Sequence, residues 1–313
     1  MNAQRIKLFV RTWMLPIAML GGILLHNYMH WLSPISPYLI GVMLFLTYCK
    51  LNPREMRITP FSLVLLLIQI LGAITIYILL IPFNEILAQG AFICVFCPTA
   101  TAAPVITGML GGSITRLASF SLLSNFTVAL LAPFLFTLLG TSDVQSEVSF
   151  YNVLGMISIK VVPLIIGPLV LALILEAISP DIHDMIGRYQ EVSFYVWAIA
   201  LFIVVGNAVS YVISHLLRYP GEGGIMLQLA IASLVVCCAQ FYFGRRVGKK
   251  FGDKVAGAQG LGQKNTVLAI WMALTFLHPI TSIAPAAYVA WQNTINSLQI
   301  WNKNRKANKI TAL

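Results

Sequence analysis

Ten stretches of about 20 predominantly apolar residues follow one another along this chain, near 12–31, 35–49, 60–81, 86–110, 117–139, 150–176, 192–216, 224–243, 257–277 and 281–301. About 20 such residues, wound as an α-helix, cross the ~30 Å hydrocarbon core of a bilayer. Backbone polar groups inside lipid must be satisfied within the protein, so only helices and closed barrels span membranes. Barrel strands alternate apolar and polar residues, and these runs do not. The pattern predicts an all-α, polytopic membrane protein with ten transmembrane helices. Only 10% of the 313 residues are charged, against about 25% in a soluble domain. The apolar character spreads along the whole chain, which excludes a secreted domain with a signal peptide and a cytosolic enzyme with a single anchor.

The net charge of +10 belongs to orientation, not to nucleic acid. Arg5, Lys7 and Arg11 precede span 1; Lys50, Arg54 and Arg57 follow span 2; Arg116 follows span 4; Arg188 follows span 6. Arg245, Arg246, Lys249, Lys250 and Lys254 follow span 8, and Lys303, Arg305, Lys306 and Lys309 end the chain. If ten spans alternate, all of these lie on one side, and the other receives only Arg218 with Glu85, Asp143, Glu147 and Glu222. By the positive-inside rule both termini are cytoplasmic.

Lys160 and Lys264 remain, each within a span. A charge at the bilayer centre costs about 2.5–3.5 kcal/mol on insertion scales and by default faces a cavity or a partner. The charge map also splits the chain into two five-helix halves, 1–149 and 150–313, entering the membrane from opposite sides: an inverted repeat. The fourth span of each half is interrupted, by Phe96-Cys97-Pro98-Thr99-Ala100-Thr101-Ala102-Ala103-Pro104 and by Gly257-Ala258-Gln259-Gly260-Leu261-Gly262-Gln263-Lys264-Asn265-Thr266. Proline removes a helical hydrogen bond and glycine weakens continuity. Breaks at matching places in two repeats mark transporter sites, where half-helix N-termini face anions and unwound carbonyls face cations. Span 5 adds Ser121, Ser124, Asn125 and Thr127, and span 10 adds Gln292, Asn293, Thr294, Asn296 and Ser297. A buried primary amide without partners is costly, so Gln292 and Asn293 are expected to line a cavity.

Other chemistry finds little support. Cys94 and Cys97 form a CxxC inside a span, with no His or acid at ligand spacing. No span offers paired carboxylates, a His-x-x-x-His or a nucleophile with its base, so no enzyme activity, cofactor or metal is expected. With no Walker motif in the chain, ATP-driven transport by it alone is not supported either.

Three strings together resemble the bile acid:sodium symporter superfamily: Cys97-Pro98-Thr99-Ala100-Thr101-Ala102, Gly262-Gln263-Lys264-Asn265 and Trp291-Gln292-Asn293. The likeness extends to Gln69 in span 3 and Lys160 in span 6, and implies a bacterial inner-membrane carrier. It implies a core domain of spans 3–5 and 8–10, a panel domain of spans 1, 2, 6 and 7, and broken helices 4 and 9 crossing at the midplane. Transport would proceed by alternating access, core against panel, on a small organic anion such as a bile-acid-like or pantoate-like carboxylate. The implied substrate contacts are Thr99, Thr101, Asn265, Thr266, Gln292 and Asn293, and the ion-site positions are Gln69, Ser121, Gln263 and Lys264.

The departures from that family carry the mechanism. Sodium-coupled members typically place Ser-Asn where this chain has Ala103-Pro104, Glu where it has Gly260, and a sodium-binding Gln where it has Lys264. Sodium needs hard oxygen ligands that include a carboxylate, and here the carboxylate is gone and an ammonium is present. The expectation is a carrier without sodium coupling, with Lys264 as a tethered cation; deprotonation of Lys264 during the cycle would instead link transport to protons. The alternatives are a sodium-dependent symporter with rearranged ligands and, from another class, a membrane sensor or channel that does not transport.

Overall fold

The computed structural model describes residues 14, 16–50, 57–100, 103–139, 149–188, 190–218 and 223–311. Helix boundaries follow local chemistry. After α1 (16–24) come short helical turns over 26–35 and then α2 (Ser36–Tyr48), with Pro37 in its first turn. The Thr59 hydroxyl accepts from the Ser62 N–H and Pro60 occupies the first turn, opening α3 (Pro60–Leu80). Asn84 accepts from the Leu87 N–H at 2.9 Å and opens α4 (Glu85–Phe96), whose first-turn Glu85 suits the positive end of the helix dipole. α4 stops because Pro98 holds Cys97 extended, at ψ 143°. The chain continues as α5 (Ala103–Leu110), α6 (Ile114–Leu139), α7 (Phe150–Ile178), the short α8 (Pro180–Arg188), α9 (Gln190–Arg218) and α10 (Gly223–Lys250). Asp253 accepts from the N–H groups of Val255 and Ala256 to start α11 (Lys254–Gly262), Asn265 caps α12 (Thr266–Phe276), and α13 (Ile283–Thr311) closes the chain. Among the described residues there is no strand.

The protein is an all-α, multi-pass membrane protein. Among the described residues six helices are long and apolar enough to cross a bilayer: His26–Tyr48, Pro60–Leu80, Ile114–Leu139, Phe150–Ile178, Tyr195–Arg218 and Gly223–Lys250. Their outer faces carry Leu67, Leu71, Ile78, Phe126, Leu130 and Phe134 exposed, an apolar surface suited to lipid and not to water. The difference from ten runs has a physical source in each case. Spans 4 and 9 are divided into α4/α5 and α11/α12, each piece too short alone. Span 10 falls in α13, which has the length but carries Gln292, Asn293, Thr294 and Asn296 through its middle. Part of span 1 lies outside the described residues.

Packing centres on the broken helices. α10 and α11 form a tight hairpin in which Gly244 and Gly257 meet backbone to backbone, an approach that any side chain would block. α4 lies against α3, α10 and α13; α6 packs on α7, while α2 packs on α7 and α9. Phe92 and Phe96 stack at 5.1 Å, Phe136 and Phe276 at 5.5 Å, and Phe136 meets Phe92 and Phe96 edge-on. This aromatic block anchors the half-helices α4 and α12 against α6.

Candidate functional site

The two interruptions meet. Thr99, just past α4, and Lys264, just past α11, form an antiparallel bridge. The Ala100 N–H donates to the Gln263 carbonyl at 3.0 Å, and the Asn265 N–H donates to the Pro98 carbonyl at 2.8 Å. Four helix ends converge on this two-residue ladder, which satisfies backbone groups that the broken helices leave over.

Side chains complete the ladder. Gln292 of α13 accepts from the Lys264 N–H at 2.9 Å and donates to the Lys264 carbonyl at 3.3 Å, acting as the next strand would. The Thr99 hydroxyl donates to the Gly260 carbonyl at 2.9 Å. Gln69 of α3 donates to the carbonyls of Phe96 and Cys97 at 2.7 and 3.2 Å, and its oxygen accepts from the Ser124 hydroxyl at 2.9 Å. The last carbonyls of α4 are therefore capped from outside the helix.

Lys264 takes the remaining one. Its side chain is 1% exposed, and Nζ donates to the Val95 carbonyl at 2.8 Å. Among the described residues no Asp or Glu is buried. The ammonium is thus balanced by the C-terminal end of α4, the negative pole of its helix dipole. It faces a carbonyl oxygen at a helix end, the kind of ligand a bound cation takes.

The expected site residues do not all gather here. Thr99, Gln263, Lys264, Asn265, Thr266 and Gln292 are buried at the crossing, and Gln69 holds it from below. The Gln263 side-chain oxygen, an acceptor, and the Asn265 side-chain N–H₂, a donor, are buried next to Lys264 in sequence and make no hydrogen bond within the protein. Asn293 instead donates to the Val289 carbonyl of its own helix at 2.7 Å, and the Ser121 carbonyl accepts from Asn125 at 2.8 Å within α6. Thr101 lies outside the described residues.

Two residues not singled out from the sequence belong to the same network. The Tyr288 hydroxyl donates to the Gly262 carbonyl at 2.9 Å and accepts from Gln240, which also donates to the Cys94 carbonyl at 3.1 Å. Tyr288 stands one helical turn before Gln292 on the same face, and Gln240 is an amide inside an apolar span; both signals are present in the sequence.

A second feature lies between other helices. An apolar cavity of about 1140 Å³ runs between α2, α7 and α12, lined among others by Tyr38, Phe45, Lys160, Pro163, Trp271 and Thr275. Lys160 is the cation on its wall. No protein-family model matches this chain, and no curated protein matches it.

Proposed function

We propose that the protein is a secondary carrier for a small organic anion, working by alternating access without sodium. The observation that carries this reading is Lys264, a buried ammonium held on the Val95 carbonyl where two interrupted helices meet. Such breaks are the hallmark of transporter sites. A cation tied to the chain at that point does by covalent attachment what a coupling ion does by binding.

The surroundings support the absence of sodium. Gly260 stands where the resembling family keeps its carboxylate, and a Cβ there would lie 3.0 Å from Phe120 and 3.2 Å from Leu65. An acidic side chain there would have to push the Phe120 and Leu65 side chains aside. The unpaired Asn265 side-chain N–H₂, with the Thr266 hydroxyl and the N-terminus of α12, provides donors for a carboxylate. In this reading its apolar body lies in the cavity beside Lys160, which α12 reaches through Trp271 and Thr275. In this reading the ten spans form two inverted repeats, with spans 3–5 and 8–10 moving as a core against spans 1, 2, 6 and 7, in a bacterial inner membrane with both termini cytoplasmic.

The test is uptake of a panel of labelled organic acids by proteoliposomes, preselected by thermal shift, with sodium present or absent and with or without a pH gradient. Sodium-independent uptake of at least one acid is expected, and its response to the gradient separates a uniporter or exchanger from a proton-linked carrier. Strict sodium dependence would overturn the tethered-cation reading and favour a symporter with rearranged ligands.

A further inference from the structure

The positive-inside rule accounts for basic residues on one side of the membrane, but not for their convergence on a cavity. A pocket of about 530 Å³ lies at the ends of α5, α10, α11 and α13, lined by Leu110, Arg245, Lys254, Val255, Gln299, Asn302 and Lys303. Three cations and two amides from three separate helices face it, and none of its lining residues is acidic. The Asp253 carboxylate next in sequence is engaged elsewhere, accepting from the N–H groups of Val255 and Ala256 and from the Ser113 N–H at 2.7 Å.

The three cations keep their charge for an external partner. Among the described residues none of them pairs with a carboxylate, and Arg245 and Lys254 make no hydrogen bond. Lys303 donates to the Met109 carbonyl at 2.8 Å, which pins its ammonium at the pocket's edge. The Gln299 oxygen accepts from Gln259 at 3.0 Å, leaving its N–H₂ as the available group. Neighbouring Arg246 shows the contrast: it lies over the Tyr242 ring and donates to its hydroxyl, outside the pocket.

We infer that this pocket is a binding site for a phosphate-bearing anion at the cytoplasmic face, supplied by an anionic phospholipid headgroup or by soluble phosphate. Basic pockets between helices on that side are suited to such headgroups. A phosphate held there ties α10, α11 and α13 together at the entrance to the second broken span. The site is separate from the Lys264 crossing, and its test does not depend on transport.

Binding is measured on the purified full-length protein by native mass spectrometry and thermal shift, with phosphatidylglycerol, phosphatidylcholine and inorganic phosphate as separate probes. Arg245→Gln/Lys254→Gln removes two cations that hold no structural contact; Lys249→Gln/Lys250→Gln is the control, with the same change in charge on exposed residues outside the pocket. With both cations in direct contact with the bound phosphate, the pocket variant should bind about 30-fold more weakly, whereas the control residues lie outside the pocket and should change binding less than about threefold. Binding of phosphatidylglycerol but not inorganic phosphate identifies a lipid headgroup, and binding of inorganic phosphate identifies a soluble anion. Equal losses in the two variants, or binding of neither anionic probe, would overturn the site.

Discussion

Lys264→Met separates the fold of the crossing from its function. Replacing the ammonium removes the cost of holding a charge in the membrane, about 2.5–3.5 kcal/mol. It also removes a charge-assisted hydrogen bond to the Val95 carbonyl and leaves that buried oxygen unpaired, a loss of about 1.5–3 kcal/mol. Methionine fills nearly the same space with an adaptable chain. The two terms nearly cancel, so the variant should fold with a stability within about 1–2 kcal/mol of the parent. The Thr99–Lys264 ladder is made by backbone groups and Gln292, which the substitution leaves untouched. At about 2–4 °C per kcal/mol, Tm in detergent should shift by less than about 8 °C. Transport should nevertheless fall below a tenth of the parent rate, because no cation then faces the end of α4. Melting curves and proteoliposome uptake read the two effects separately. Uptake at the parent rate would refute the role given to the ammonium, and a Tm lowered by 15 °C or more, on the scale of about 2–4 °C per kcal/mol, would show that Lys264 holds the fold itself.

Two further substitutions test the supports of the crossing. Gln69→Leu orphans the Phe96 and Cys97 carbonyls and the Ser124 hydroxyl, and should lower stability by about 2–4 kcal/mol; an unchanged Tm would mean that α4 ends on other donors. Gly257→Ala puts a methyl group into the Gly244 backbone and should cost about 1–3 kcal/mol, whereas Gly155→Ala, with open space around it, should gain about 0.5–1 kcal/mol in helix propensity. Equal Tm values for the two glycine variants would contradict the close contact of α10 with α11.

Much of this architecture is legible in one dimension because the membrane simplifies the problem. Apolar length marks a span, and a lysine inside a span stands out, so Lys264 and the two broken segments are found without any structure. Ser121 and Asn293 look equally suitable by type and place, yet Asn293 bonds back to its own helix. Short polar side chains have that local option, and sequence spacing does not tell which residues take it. Tyr288 and Gln240 are hard to find for the opposite reason: their partners, the carbonyls of Gly262 and Cys94, are backbone groups that become available only where a helix is broken.

The sequence by itself determined that the chain is helical, crosses a membrane several times, and interrupts two of its runs, since hydropathy, proline and glycine act through local backbone physics. Only the tertiary structure decided that the two interruptions pair with each other, that Gln292 completes their ladder, and that Lys264 faces a carbonyl instead of a carboxylate. These are contacts between residues more than 25 positions apart, and in a dry interior each orphaned polar group must find the partner that packing brings to it.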